Sequence, residues 1–224
     1  MRREESAVIR KILETKIDWL GSKPTVVINL GAGDLSKTRL NKPWIDMNVF
    51  APLKDRGLKT VNVDLFDFPG IDKTVDFSQP QALQFLTEYH SPKLVILANV
   101  LEHISQSTRD NLVKELKRNL KKSDYLLISA PHAYPYHPDP IDSMYRPSFV
   151  DLQALLDLNW LFAARVECGS FWRDLSGMSW HKKIRKLIKP LIIFQRPKKY
   201  WSSVHQLLFL FRDYKISVVF GQKP

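Results

Sequence analysis

Thr25-Val26-Val27-Ile28-Asn29-Leu30-Gly31-Ala32-Gly33 is the stretch that decides the fold. A short, β-branched run without a charge is cut off by two glycines. An apolar run with no polar alternation reads as a strand covered on both faces. Glycines directly behind it let the backbone turn tightly and approach a ligand with no Cβ in the way. Outward from here the same kind of strand recurs at 59–65, at 93–98 and at 125–129, with a very short one at 73–77. Residues 163–167 and 216–220 supply the last two.

Helical spacing fills the intervals. Val8, Ile9, Ile12, Leu13, Ile17 and Leu20 predict an N-terminal helix within 1–24, closed by Gly21 and Pro24. Ser78-Gln79-Pro80 opens a helix to about residue 89, with Pro80 early in it. An amphipathic pattern covers 108–120, and Ser148 caps a helix to about 158. A proline-rich loop, 131–147, follows the fifth strand. Strands alternating with helices predict an α/β domain over 1–224, with a mostly parallel seven-stranded sheet and helices on both faces. Ligands of such sheets bind at the carboxyl ends of the strands.

Composition narrows the class. With 224 residues, 44% apolar and 25% charged, the chain is globular rather than disordered. Cys168 is the single cysteine, which excludes an internal disulfide framework and a Cys-cluster zinc site. The net charge of +11 is local. Residues 172–215 hold 11 Lys/Arg against 2 Asp/Glu, hence +9 of it. No apolar signal region follows the charged N-terminus, and no run approaches the ~18 apolar residues of a membrane span. The expected location is the cytoplasm, with a peripheral position at the inner face of a membrane as the alternative.

The strand ends carry the candidate site: Asn29, Gly31 and Gly33 after the first strand, and Asp64 after the second, placed to accept from a ribose diol. Asp76 and Phe77 follow the third, a carboxylate for an exocyclic amine beside an aromatic ring. Asn99-Val100-Leu101-Glu102-His103-Ile104 follows the fourth. In this order the motifs resemble those of the class I S-adenosylmethionine-dependent methyltransferases. The resemblance covers roughly 25–171, with 216–220 as a reversed final strand. It implies a Rossmann-like fold with the last strand antiparallel, and S-adenosylmethionine as cofactor. It assigns Asn29, Gly31, Gly33, Asp64, Asp76, Phe77, Asn99 and Val100 to cofactor binding. Asn29 stands where the family has an acid, Leu35 where it has a third glycine, and the interval from Gly33 to Asp64 is longer, with an excursion around Lys42-Pro43-Trp44. A nicotinamide fingerprint would need a glycine at Ser36 and an acid about 20 residues on, and has neither.

Methyl transfer to a hydroxyl needs a positioned acceptor, exclusion of water and a base. His103, His132 and His137 are the candidate bases, with His103 favoured because it directly follows the fourth strand. Residues 132–146 read H-A-Y-P-Y-H-P-D-P-I-D-S-M-Y-R. Tyr134, Tyr136, Asp139, Asp142 and Arg146 suit a polyhydroxyl acceptor. His132, His137, Asp139 and Asp142 have metal-ligating side chains, but no spacing rule supports a metal, so none is assigned. Signatures of nucleic-acid base methylation are missing after the fourth strand. Residues 172–215 form a basic, apolar insertion that reads as an active-site lid, a foot on anionic lipid, or an RNA contact. The expected activity is O-methylation of a small molecule or saccharide, a lipid-linked one if residues 172–215 are a foot on anionic lipid. RNA methylation and a non-catalytic scaffold are the alternatives.

Overall fold

The computed structural model describes residues 1–137, 141–188 and 197–224, with side chains of the last stretch from 200 onward. In chain order the elements are α1 (Arg3–Thr15), β1 (Val26–Leu30), α2 (Leu35–Asn41), α3 (Pro43–Ile45), a π-helical turn (Asp46–Phe50) and α4 (Ala51–Asp55). Then come β2 (Lys59–Asp64), β3 (Lys73–Thr74), a 3-10 turn (Gln84–Glu88), β4 (Leu94–Ala98) and a second 3-10 turn (Leu101–His103). The last third holds α5 (Gln106–Asn119), β5 (Tyr125–Ala133), α6 (Phe149–Ala154), β6 (Asn159–Ser170), α7 (Phe171–Ser176), α8 (Trp180–Ile188), α9 (Pro197–Leu208) and β7 (Asp213–Gln222).

The strands form one seven-stranded sheet in the order β3-β2-β1-β4-β5-β7-β6. The first five are parallel, and β7 runs antiparallel to both β5 and β6. This is the expected mixed sheet with a reversed last strand. β1 lies between β2 and β4, with Leu30 level with Val63 on one side and Leu97 on the other. The strand order reverses there, so the crevice for a ligand opens at the carboxyl end of β1.

All five residues of β1 are buried, which is why the stretch shows no polar alternation. Successive side chains serve two cores. Ile28 and Leu30 join Val63, Val95 and Leu97 beneath Leu112 and Leu116 of α5. Val27 joins Ile96, Leu127 and Val218 beneath Ile9, Ile12 and Leu13 of α1. At the far end of the sheet Lys93 and Asp124 are fully buried as an ion pair, Nζ to Oδ2 at 2.6 Å. The Asp124 carboxylate also accepts from the backbone N–H of Lys93 and of Lys121.

Several elements differ from the sequence expectation. The helix expected over 78–89 is a series of turns ending in the 3-10 turn. Asp76 accepts from the Ser78 N–H and the Gln79 side chain, and Gln81 has φ +61°, so the chain turns before a helix can start. α1 stops at Thr15. Asp18 accepts from the N–H groups of Leu20 and Gly21, and Leu20 lies fully exposed rather than on the apolar face. α6 ends at Ala154, short of residue 158, while its cap is as expected: Ser148 and Asp151 form a reciprocal capping box. β5 extends to Ala133 because β7 pairs along it, so the loop begins later than residue 131. β6 and β7 are likewise longer than expected. The insertion runs from the end of β6 to the start of β7 as α7, α8 and α9, while its residues 189–196 lie outside the described residues. Among the described residues no helix is long and apolar enough to cross a membrane. Cys168 is buried, and desolvation pushes its thiol up to about 12, which makes it a poor nucleophile.

Candidate functional site

The turn after β1 is built on glycine. Gly31 has φ +71°, and a Cβ there would run into Cγ2 of Val100. Gly33 has φ +66°, and a Cβ there would meet nothing within 4 Å among the described residues. Open space therefore lies against the backbone at Gly33. Asp64, at the end of β2, holds this turn. Its Oδ2 accepts from the Gly33 N–H at 2.7 Å and its Oδ1 from the Phe66 N–H at 3.1 Å. Each carboxylate oxygen has a second lone-pair site, so the group retains capacity for two more donors, such as the hydroxyls of a diol.

The other expected cofactor residues are placed as follows. Asn29 is buried, and its Nδ2 donates to Oδ1 of Asn62 on the neighbouring strand. Asp76 is held below its ordinary value by the Ser78 N–H, with the Ser78 hydroxyl and Gln79 adding to this. The ring of Phe77 is buried in the core under α5, and its carbonyl accepts from Asn111. Asn99 has φ +56°, a conformation asparagine tolerates. Its Nδ2 donates to Oε1 of Glu5 at 2.7 Å. Val100 wedges against Gly31.

The ends of β4 and β5 bring the histidines together. Each of the three holds its Nδ1 against a backbone carbonyl: His103 on Ile141, His132 on Pro147 and His137 on Pro135. A carbonyl can only accept, so Nδ1 carries the hydrogen and, in the neutral ring, Nε2 carries the lone pair. His103 and His137 meet edge to face with ring centroids 5.1 Å apart, and Tyr134 meets His137 at 5.0 Å. His132 stands apart from that contact. Tyr136 contacts His205 of α9, which ties the loop to the insertion. Asp142 and Arg146, expected to face the acceptor, pair with each other through two bonds, at 2.6 and 3.0 Å. Asp142 also accepts the His137 N–H, so this pair braces the loop from inside. Asp139 lies outside the described residues.

Two buried acids had no role in the sequence reading. Glu5 accepts from Asn99, from the Ser129 hydroxyl and from the Arg2 N–H. The available signal was its phase: it stands one turn before Ile9 on the apolar stripe of α1, where a carboxylate is out of place. Glu102 is 1% exposed, and among the described residues neither carboxylate oxygen has a hydrogen-bond partner. Burial pushes its carboxyl up to about 7. It lay inside the quoted Asn99–Ile104 stretch, but periodicity does not say which way a side chain in a turn points.

No protein-family model matches the chain, and no curated protein does. Solved structures match over nearly its whole length. A SAM-dependent methyltransferase from Archaeoglobus fulgidus superposes with TM-score 0.51 at 14% identity, over 97% of this chain and 94% of its own. Coclaurine N-methyltransferase, bound to N-methylheliamine and SAH, gives 0.56 at 13%, over 97% and 72%. The [4+2]-cyclase SpnF gives 0.54 at 11%, over 97% and 80%. With its strand order, its reversed last strand and its glycine turn, the chain has the fold of the S-adenosylmethionine-dependent methyltransferases.

Proposed function

We propose that the chain binds S-adenosylmethionine and transfers its methyl group to a hydroxyl of a small molecule or saccharide. The observation that carries this reading is the glycine turn tied to Asp64 beside open space, at the point where the strand order reverses. When bound, the cofactor supplies a methyl group on a positively charged sulfur. Asp64 holds the ribose hydroxyls, and the backbone at Gly31 and Gly33 lies under the methionine portion. Asp76 is a carboxylate acceptor for the adenine amine. Asn99, locked by Glu5, shapes the floor beside the reacting centre. The hydroxyl proton passes to an imidazole Nε2 of the group His103, His132 and His137. Tyr134 and Tyr136 line the acceptor side.

The test is titration of the folded chain with S-adenosylhomocysteine in a calorimeter. Saturable binding of one equivalent is expected, and a folded chain that shows none sinks the reading. SpnF, with the same fold, is named for a cyclisation, so the second step, methylation of an added acceptor, is measured separately.

The insertion supports a place for that acceptor at a membrane surface. Trp172, Trp180, Ile184, Ile188, Trp201 and Phe211 are exposed, and Lys182, Lys183, Arg185 and Lys186 are interleaved with Trp180, Ile184 and Ile188 along α8. Aromatic and basic residues together suit the headgroup layer of an anionic bilayer. At about 1 kcal/mol per basic side chain near such a surface, Lys182→Ala with Lys183→Ala is expected to weaken vesicle binding roughly 30-fold. Co-sedimentation with phosphatidylglycerol vesicles measures it. If the parent ignores vesicles and the same pair instead abolishes salt-sensitive RNA binding, the acceptor is RNA.

A further inference from the structure

The end of β4 holds an acid for which the methyl-transfer reading has no use. Glu102 is buried to 1% exposure, and among the described residues neither carboxylate oxygen has a hydrogen-bond partner, Nε2 of His103 standing 3.7 Å from Oε1. Buried polar groups in folded proteins nearly always have hydrogen-bond partners, and a buried carboxylate without one is costly. Two imidazoles face it. One Glu102 oxygen and one nitrogen each of His103 and His137 all lie within 4.8 Å of one another. Among the described residues, Glu5 and the Met1 amine are the other charged groups near this acid.

The rings are held in the manner of metal ligands. The Ile141 carbonyl stands behind Nδ1 of His103. The Pro135 carbonyl and the Asp142 carboxylate, each at 3.2 Å, stand behind Nδ1 of His137. A carbonyl or carboxylate behind one nitrogen orients the ring and strengthens the other nitrogen as a ligand. Arg146 in turn grips Asp142, so the support extends one residue further. The His103 and His137 side chains are 23% and 30% exposed, so both rings reach the surface beside the buried acid.

We propose that Glu102, His103 and His137 form a binding site for one divalent transition-metal ion. Two imidazole nitrogens with one carboxylate oxygen suit zinc, cobalt or manganese, whereas calcium and magnesium favour oxygen ligands. Three protein ligands leave coordination positions for water or an acceptor oxygen. The ion's role rests on the methyl-transfer reading: at the end of β4 it acidifies the acceptor hydroxyl, and His132, outside the cluster, remains the imidazole that takes the proton. This departs from the sequence reading, which assigned no metal.

The test uses the full untagged chain, stripped with a chelator. Co2+ alone is titrated and followed by its visible absorption, and Zn2+ by calorimetry. One equivalent is expected to bind. Glu102→Gln and His137→Gln are each expected to weaken binding at least ~100-fold, and Asp142→Asn by ~10-fold, the scale of a supporting partner. Near-UV circular dichroism checks folding. If the isosteric Glu102→Gln does not fold, the partly exposed His137 carries the test. A parent that takes up no equivalent of either ion overturns the site, as does uptake equal in the parent and the folded variants. S-adenosylhomocysteine titration on the same samples separates the two readings. Cofactor binding without metal binding overturns the metal site alone, and metal binding without cofactor binding overturns the cofactor reading alone.

Discussion

Replacing Asp64 by alanine is expected to weaken S-adenosylhomocysteine binding by about 100-fold or more. A carboxylate accepting from two ribose hydroxyls makes charge-assisted bonds worth about 1.5–3 kcal/mol each. Two of them, at about 1.4 kcal/mol per tenfold, account for that loss. A second contribution adds to it. Asp64 accepts the Gly33 N–H at 2.7 Å and the Phe66 N–H at 3.1 Å, so the substitution also frees the glycine turn from β2. Asp64→Asn separates the two effects. Its amide oxygen still serves one backbone donor, so the turn is partly held while the charge is gone, and an intermediate loss is expected. Calorimetry of the three proteins measures this. Equal affinity in all three would show that Asp64 does not touch the cofactor.

The largest effect on stability is expected at the opposite end of the sheet. Lys93 and Asp124 are both 0% exposed and 2.6 Å apart. Asp124→Ala removes the only anion that the buried ammonium is paired with among the described residues, and it orphans the N–H groups of Lys93 and Lys121. Breaking one side of a buried pair costs about 3–5 kcal/mol, a large share of the stability of a typical domain. Urea unfolding of the parent and variant measures the difference. A double replacement, Lys93→Met with Asp124→Ala, is expected to recover part of the loss, because the uncompensated charge is gone. It does not recover all of it, because the two backbone donors still lack their acceptor. A change below about 1 kcal/mol in the single variant would mean that water reaches Lys93 in solution.

The strands were legible because burial on both faces leaves a direct trace. β1, β4 and β5 are apolar runs, and their ends, with Gly31, Gly33 and Asp64, were marked by residues that only a turn or a polar contact explains. Features set by tertiary contacts were not legible. The helix expected after Ser78 yields to Asp76, whose carboxylate captures the Ser78 N–H, and composition does not rank that capture against a helix. Asp142 and Arg146 looked like groups for a substrate because both are polar and lie in a loop. Their mutual pairing depends on the path of the loop, which the five prolines at 131–147 do not disclose. The part played by Glu5 is a contact across 94 residues of sequence, from α1 to Asn99.

The position of β7 has a consequence for how the molecule is made. It is the last strand in the chain, yet it sits between β5 and β6 and supplies the pairing for both. During synthesis β5 and β6 are therefore both complete while the slot between them is vacant. Each then offers an unpaired edge to any other chain nearby. Residues 213–222 close the sheet, and every strand pairing they make spans a long sequence interval, which makes this closing step slow by its topology. The nascent chain is most open to aggregation in the interval between the emergence of β6 and that of β7, a period that the 171–212 insertion lengthens.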